Sequence, residues 1–335
     1  MYYQMLFLMS LMIGTLISIS SYSWMGMWMG LEINLLSLIP LMSSTKNMFA
    51  SEAALKYFIV QALASTILLF SIIMVSMYFS FNLKFNLYFS LMLNTSLLTK
   101  MGAAPLHFWF PEVMEGLNWF NSLIMLTWQK IAPMILIMYS NETKIYFIIC
   151  IIFSMMISGI MGMNQTSLRK ILAYSSINHI GWMLGAILIS PTIWFYYFSI
   201  YCIITINIIV IFWTLNTFYI NQLFITFNTN PLVKFFFMLN FLSLGGLPPF
   251  LGFMPKWLLI NSLIQSNFYF LTFLMTIMTL ITLYFYMRIT FSSLLLNYSM
   301  SKYYHQAKIK MTLIMTSNFI ALASLIMITI SFNFN

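Results

Sequence analysis

The sequence predicts an all-α polytopic membrane protein of about eleven transmembrane helices, two of them discontinuous. Three observations support this. Hydrophobic residues make up 62% of the chain and charged residues 6%, with a mean hydropathy of +0.94. That balance excludes a soluble globular fold. Apolar runs of spanning length also follow one another from end to end, and Gly/Pro interruptions break two of them beside a lysine. At about 20 residues per span plus short connections, the chain holds roughly ten to twelve helices. No soluble domain fits, and a single transmembrane domain over 1–335 is expected.

In order, the apolar runs are 4–22, 24–43, 54–80, 86–104, 119–139, 145–163, 171–190, 192–217, 233–250 continuing to 266, 268–294 and 311–332. Met1 leads directly into the first run without a charged n-region, a cleavage site or an Arg-rich presequence, so this run is expected to remain in the mature protein. Run 86–104 carries Lys100, followed five residues on by Pro105, which removes a backbone donor and clashes one turn back. Run 119–139 carries Lys130, with Pro133 three residues beyond as an expected helix disruption beside the lysine. The segment 233–266 is interrupted by Gly245-Gly246-Leu247-Pro248-Pro249 and again by Pro255, just before Lys256. Two Gly/Pro breaks, each near a lysine, suggest a faint internal repeat of the kind seen in transporters with paired broken helices.

Orientation follows from the loop charges. Placing the N-terminus on side one puts Lys46, Lys56, Arg169, Lys170, Lys234, Arg288, Lys302, Lys308 and Lys310 there, and only Lys84 and Lys144 opposite. Side one is therefore the inner side, and an odd number of spans sends the C-terminus outward. The same rule accounts for the net charge of +9 without invoking nucleic acid. Cys150 and Cys202 lie in apolar runs and read as small hydrophobes. Asp is absent, while Met (31) and Phe (33) are heavily used, a bias toward A/T-rich codons that points to an organellar genome.

The candidates for chemistry are the ionisable groups inside these runs. Charge in hydrocarbon is costly, and broken helices persist there only when packed in protein or lining a wet cavity, so the pattern suggests an ion path. Glu32, one of five acids, stands about nine residues into the second run, with Lys100 as its natural partner. A close carboxylate favours the charged lysine and burial disfavours it, so moving the two together or apart would load and unload a proton. Lys130 and Lys256 join them, with the alternative helix-end reading, in which a long basic side chain snorkels to the membrane interface. His179, beside Ser175, Ser176 and Asn178, reads equally as a proton relay or as a satisfied core residue. His107, Glu112 and Glu115 flank the first break as solvated loop groups or as the mouth of the path. The chain has no phosphate loop, no metal-spaced Cys/His cluster and no nucleophile elbow, so neither a cofactor nor a metal is expected on it.

GLEINLLSLIP (30–40), KMGAAPLHFWFPEVMEGL (100–117), WQKIAP (128–133), NQTSLRKILAYSSINHIGWM (164–183) and NFLSLGGLPPFLGFMPKW (240–257) closely resemble the chain 2 family of NADH–ubiquinone oxidoreductase. These are antiporter-like membrane subunits of respiratory complex I in animal mitochondria. The resemblance runs from the first span to the last. It implies a short, eleven-helix antiporter-like fold that contributes a proton-translocation path. Glu32, Lys100, Lys130 and Lys256 match the family's buried glutamate and three lysines, and the family pattern includes the polar residues around His179. The resemblance further implies that NADH, FMN, iron–sulfur clusters and ubiquinone are handled in other subunits. It implies the mitochondrial inner membrane as location, where the orientation expected from the loop charges puts the N-terminus in the matrix and the C-terminus in the intermembrane space. The expected partners are membrane lipids and other membrane-arm subunits, including neighbouring mitochondrially encoded chains. Two other functions are weaker. A stand-alone cation antiporter would want an intramembrane Asp, and a structural spacer would leave four intramembrane ionisable residues without a purpose.

Overall fold

The computed structural model describes residues 2–44, 47–80, 87–140, 143–227, 231–248, 250–295 and 318–319. Among these residues every regular element is a helix, and the β pairing is confined to an isolated bridge between Ser167 and Tyr219. The chain divides into two compact units, Met1–Ser154 and Met155–Asn335.

The first unit contains α1 (Tyr2–Ser20), α2 (Trp24–Met42), α3 (Met48–Ser80), α4 (Leu87–Met101), α5 (Trp109–Gly116), α6 (Trp119–Leu126), α7 (Trp128–Tyr139) and the start of α8 (Lys144–Met163). The second continues α8 and adds α9 (Leu168–Ile187), α10 (Pro191–Leu215), α11 (Ile220–Phe227), α12 (Pro231–Gly245), α13 (Phe253–Gln265) and α14 (Tyr269–Leu295). Among the described residues seven stretches are long and apolar enough to cross a membrane: α1, α2, most of α3, α6 with α7, α8, α10 and α14. Three further predicted runs are helical but fall short in length or hydropathy. Run 86–104 becomes the 15-residue α4, and 233–266 becomes α12 and α13, of 15 and 13 residues, because both stop at glycine. Run 171–190 becomes α9, whose apolar character is diluted by Ser175, Ser176, Asn178 and His179. The predicted run 311–332 lies outside the described residues except at Asn318 and Phe319.

Helix ends follow local chemistry. Ser190 caps α10 by accepting from the Ile193 amide, Pro191 occupies the first turn where its missing donor costs nothing, and Asn216 closes the helix in the left-handed conformation at φ 50°. Ser23 caps α2 by accepting from the Gly26 amide.

Packing inverts the soluble pattern. Large apolar side chains such as Leu6, Leu16, Leu36, Phe195 and Phe270 face outward, while Asn34, Gln61, Asn94, Ser154, Asn178 and Asn207 are buried. Every residue of α9 from Ile171 to its end is buried. In lipid the hydrophobic effect does not drive helices together, so close backbone approach and polar contacts must do so. Asn94 of α4 donates to the Ser140 carbonyl and to Thr143 Oγ1, both at 3.0 Å, and accepts from Ser140 Oγ at 2.6 Å. This ties α4 to the end of α7 and the approach to α8. Where α1 crosses α2, Gly14 faces Gly30 so closely that a Cβ on Gly30 would stand 2.5 Å from the Ser18 nitrogen and 2.7 Å from the Gly14 oxygen.

Backbone atoms cannot yield as a flexible side chain can. Gly30→Val should therefore cost at least the roughly 1–3 kcal/mol typical of overpacking. Its thermal denaturation midpoint in native membranes should fall clearly, and a wild-type midpoint would show that this contact does not hold α1 and α2 together.

Candidate functional site

In the first unit the site is organised by the end of α4. Gly102 adopts φ +72°, its amide bonds to the Thr99 carbonyl at 3.1 Å, and the Ala103 amide bonds to the Leu98 carbonyl at 3.0 Å. This pair of bonds is the Schellman closure, which only a left-handed residue allows, and glycine adopts that conformation without a Cβ penalty. Lys100 lies in the last helical turn, where the helix dipole favours a cation. The Gln61 side-chain amide, from α3, donates to the Lys100 carbonyl at 3.2 Å and so satisfies one acceptor at the helix end.

Lys100 is buried, with its side chain 4% exposed, and its Nζ stands 3.9 Å from Glu32 Oε1 on α2. That is an ion-pair distance but too long for a hydrogen bond. Glu32 Oε1 has no hydrogen-bond partner of its own. Beside Lys100 lies a small pocket, with space for about one water molecule, lined by Asn34, Tyr57, Gln61, Lys100, Gln129 and neighbouring apolar residues. Gln129 donates to Asn34 Oδ1 across it at 2.7 Å. A wall of this polarity suits water, which needs about two to four hydrogen-bonding partners.

Lys130, on α7, is 1% exposed, with its Nζ 5.7 Å from the centroid of the Phe110 ring. Its ammonium ends inside the protein, which removes the helix-end reading. The adjoining break is not at Pro133, as the sequence suggests, but at Thr127, between α6 and α7. A proline clashes with the carbonyl four residues earlier, here Gln129, so the disturbance falls upstream of Lys130. Thr127 Oγ1 donates back to the Leu123 carbonyl at 2.8 Å. The expectation of water access around the first break holds for Glu112, which is exposed and paired with Lys56 at 2.9 Å, but not for His107, which is 2% exposed. Glu115 is half-buried. The turn from Ala103 to Phe108 folds His107 inward, with its Nδ1 3.3 Å from the Pro105 carbonyl.

In the second unit α12 ends in the same way as α4. Gly246 has φ +80°, its amide bonds to the Ser243 carbonyl at 3.0 Å, and the Leu247 amide bonds to the Leu242 carbonyl at 3.4 Å. Lys256, on α13, reaches back to this end, and its Nζ donates to the Gly245 carbonyl at 2.8 Å and the Leu244 carbonyl at 3.4 Å. It is 6% exposed, so the helix-end reading fails here too. Its Nζ also sits 5.7 Å from the centroid of the Trp182 ring. Trp182 stacks on Tyr197 at 6.5 Å and 11°, and the Tyr197 hydroxyl meets His179 Nδ1 at 2.9 Å. Lys256, Trp182, Tyr197 and His179 thus form one buried column.

Glu32 with Lys100, and Lys256 with His179, are therefore gathered within their units, and Lys130 shares the first unit with the former pair. Among the described residues no group of three or more His, Cys, Asp or Glu could hold a metal. Sequence reasoning overlooked Gln61, Asn34 and Gln129 around Lys100, and Trp182 and Tyr197 beside His179. Amides inside apolar runs are the readable signal for the first three. The aromatic pair has none, since 18% of the chain is aromatic.

The family model for the transmembrane region of NADH:quinone oxidoreductases and Mrp antiporters matches residues 21–282. The NADH-ubiquinone oxidoreductase chain 2 of Anopheles gambiae is 50% identical over 329 residues, spanning 97% of this chain and 96% of its own. That of Aedes aegypti is 51% identical over 330 residues, with the same coverage of 97% and 96%. Among solved structures, a chain of respiratory complex I from Thermus thermophilus with bound aureothin matches with a TM-score of 0.86 at 22% identity, over 96% of this chain and 78% of that one.

A Cβ on Gly246 would lie 2.8 Å from both Cδ and Nζ of Lys256, in a backbone conformation that L residues avoid at a cost of about 1–2 kcal/mol. Gly246→Ala should therefore lower the thermal midpoint and push Lys256 off its carbonyls. In a Lys256→Ala background the steric part of that loss should vanish and only the backbone part remain. An equal loss in both backgrounds would show that Gly246 does not seat the lysine.

Proposed function

The chain belongs to the NADH:quinone oxidoreductase/Mrp antiporter transmembrane family, among the chain 2 subunits of NADH–ubiquinone oxidoreductase, and from that premise we propose that Glu32, Lys100, Lys130 and Lys256 carry its protons, with His179 as a relay. The protein is a membrane subunit of the proton-translocating complex, an enzyme by virtue of that assembly. The observation that carries the proposal is the pair of Glu32 and Lys100. A buried ammonium faces a carboxylate oxygen at 3.9 Å, and that oxygen is otherwise unbonded. A pair held only for stability would close to a hydrogen bond. A pair that must load and release a proton needs a neighbour to exchange it with, and the polar pocket beside Lys100 has space for about one water molecule.

In this reading a proton enters Lys100 while Glu32 is close, because the carboxylate favours the ammonium form. It leaves when the two separate, because burial then favours the neutral amine. Lys130 is the next acceptor. Lys256 is stabilised as a cation by the carbonyl end of α12 and exchanges with His179. The two units act together as one antiporter-like domain. The chain binds no cofactor of its own, and the redox chemistry belongs to other subunits of the complex. Its outward apolar faces meet lipid and other membrane-arm subunits, including neighbouring mitochondrially encoded chains. It lies in the mitochondrial inner membrane with its N-terminus in the matrix and its C-terminus in the intermembrane space.

Glu32→Gln removes the charge that favours the loaded lysine, and Lys100→Met removes the carrier and leaves Glu32 without its countercharge. Both variants should assemble in normal amounts and translocate fewer protons per NADH oxidised, with Lys100→Met at least as severe. A structural salt bridge predicts instead a loss of about 3–5 kcal/mol and poor accumulation of the complex. Wild-type stoichiometry and rate in both variants, measured in membranes with equal amounts of complex, would refute the proton-carrier reading.

A further inference from the structure

We propose that Tyr197 is a positioning residue for proton exchange at His179, holding the imidazole in place through both of its charge states. The inference rests on the relay reading of His179 and deepens it. The polar neighbours that the sequence places around His179 are engaged elsewhere. Ser175 and Ser176 donate to the Leu172 and Ala173 carbonyls of their own helix at 2.8 and 2.7 Å, and Asn178 donates to Thr282 at 3.3 Å. The bond to Nδ1 comes instead from α10, where the Tyr197 hydroxyl stands at 2.9 Å. Tyr201, one turn further along α10, lies with its ring 5.0 Å from the imidazole.

A relay histidine poses a problem that a core histidine does not. Neutral imidazole can present a bare, accepting Nδ1, whereas imidazolium presents a donating N–H at the same atom. A carbonyl can answer only the second state and an ammonium only the first. A phenol answers both by turning its O–H about the C–O bond: it donates to Nδ1 when the ring is neutral and accepts from Nδ1–H when the ring is charged. In the neutral state this fixes the imidazole proton on Nε2. Nδ1 keeps its hydrogen-bond partner in either state, so the change of charge loses no bond at that atom. The hydroxyl can turn while the ring stays fixed, because Tyr197 is 2% exposed and stacked flat on Trp182. Trp182 presents its own ring to the Lys256 ammonium, so a fixed phenol also keeps the imidazole in constant register with that lysine.

The test is Tyr197→Phe, which keeps the ring and its stacking and removes only the hydroxyl. It is studied beside His179→Gln and the double variant in membranes containing the whole complex, with the amount of assembled complex measured in each. We expect Tyr197→Phe to assemble normally and to lose roughly tenfold in proton translocation per complex, the scale of one lost hydrogen bond to a charged group. The double variant should be no worse than His179→Gln, because Tyr197 acts through that residue. Wild-type translocation in Tyr197→Phe with impaired His179→Gln would overturn the role of Tyr197 and leave the relay reading standing. Wild-type behaviour in both single variants would overturn both. A further loss in the double variant, or a fall in assembled complex with unchanged translocation per complex, would show that Tyr197 serves something other than His179.

Discussion

A helix that ends among apolar surroundings leaves several carbonyls without partners, and no solvent is there to take them. Much of this structure answers that constraint. Both α4 and α12 close on a left-handed glycine that returns two amides to the last turn. What those bonds leave over is answered differently in the two units. At α4 the Gln61 amide takes up the Lys100 carbonyl. At α12 the Lys256 ammonium itself takes up the Gly245 and Leu244 carbonyls.

The two lysines therefore live under different rules. The countercharge of Lys100 is a carboxylate, a full charge carried on a side chain. The countercharge of Lys256 is a helix end, a partial charge that belongs to the backbone and cannot be neutralised. A proton on Lys100 is held by an interaction that a small displacement changes, while a proton on Lys256 is held by one that follows the geometry of the break. In the second unit the fold places a buried ammonium where the backbone has an unmet need for a cation.

The same economy explains the inverted packing. Apolar side chains face outward because lipid and partner subunits accept them without penalty, which frees the interior for amides, hydroxyls and tyrosines that lipid would refuse. Asn94 joining three segments, Gln129 bonded to Asn34, and Tyr197 bonded to His179 are such cases. Polar groups act here as the specific contacts of the fold, and the path proposed for protons runs among them.

What the sequence by itself determined is the class of the molecule and the identity of its unusual residues. Composition excluded a soluble fold, and run length located most of the helices. Glycine and proline marked two of the breaks, because φ freedom and a missing donor are properties of single residues. Glu32, Lys100, Lys130 and Lys256 could be singled out because a charge in an apolar run is legible without any neighbour. Tertiary structure alone decided which partner each charge received. That Lys256 meets carbonyls rather than a carboxylate depends on how the chain returns across eleven residues from Gly245. That His179 meets Tyr197 rather than its own helix's serines depends on the packing of α10. His107 was misread as solvated because a turn can fold a polar ring inward, and the break beside Lys130 was misplaced because proline disturbs the turn before it. Periodicity reports which way a residue faces along one helix, but a hydrogen bond between helices depends on where two backbones come to rest.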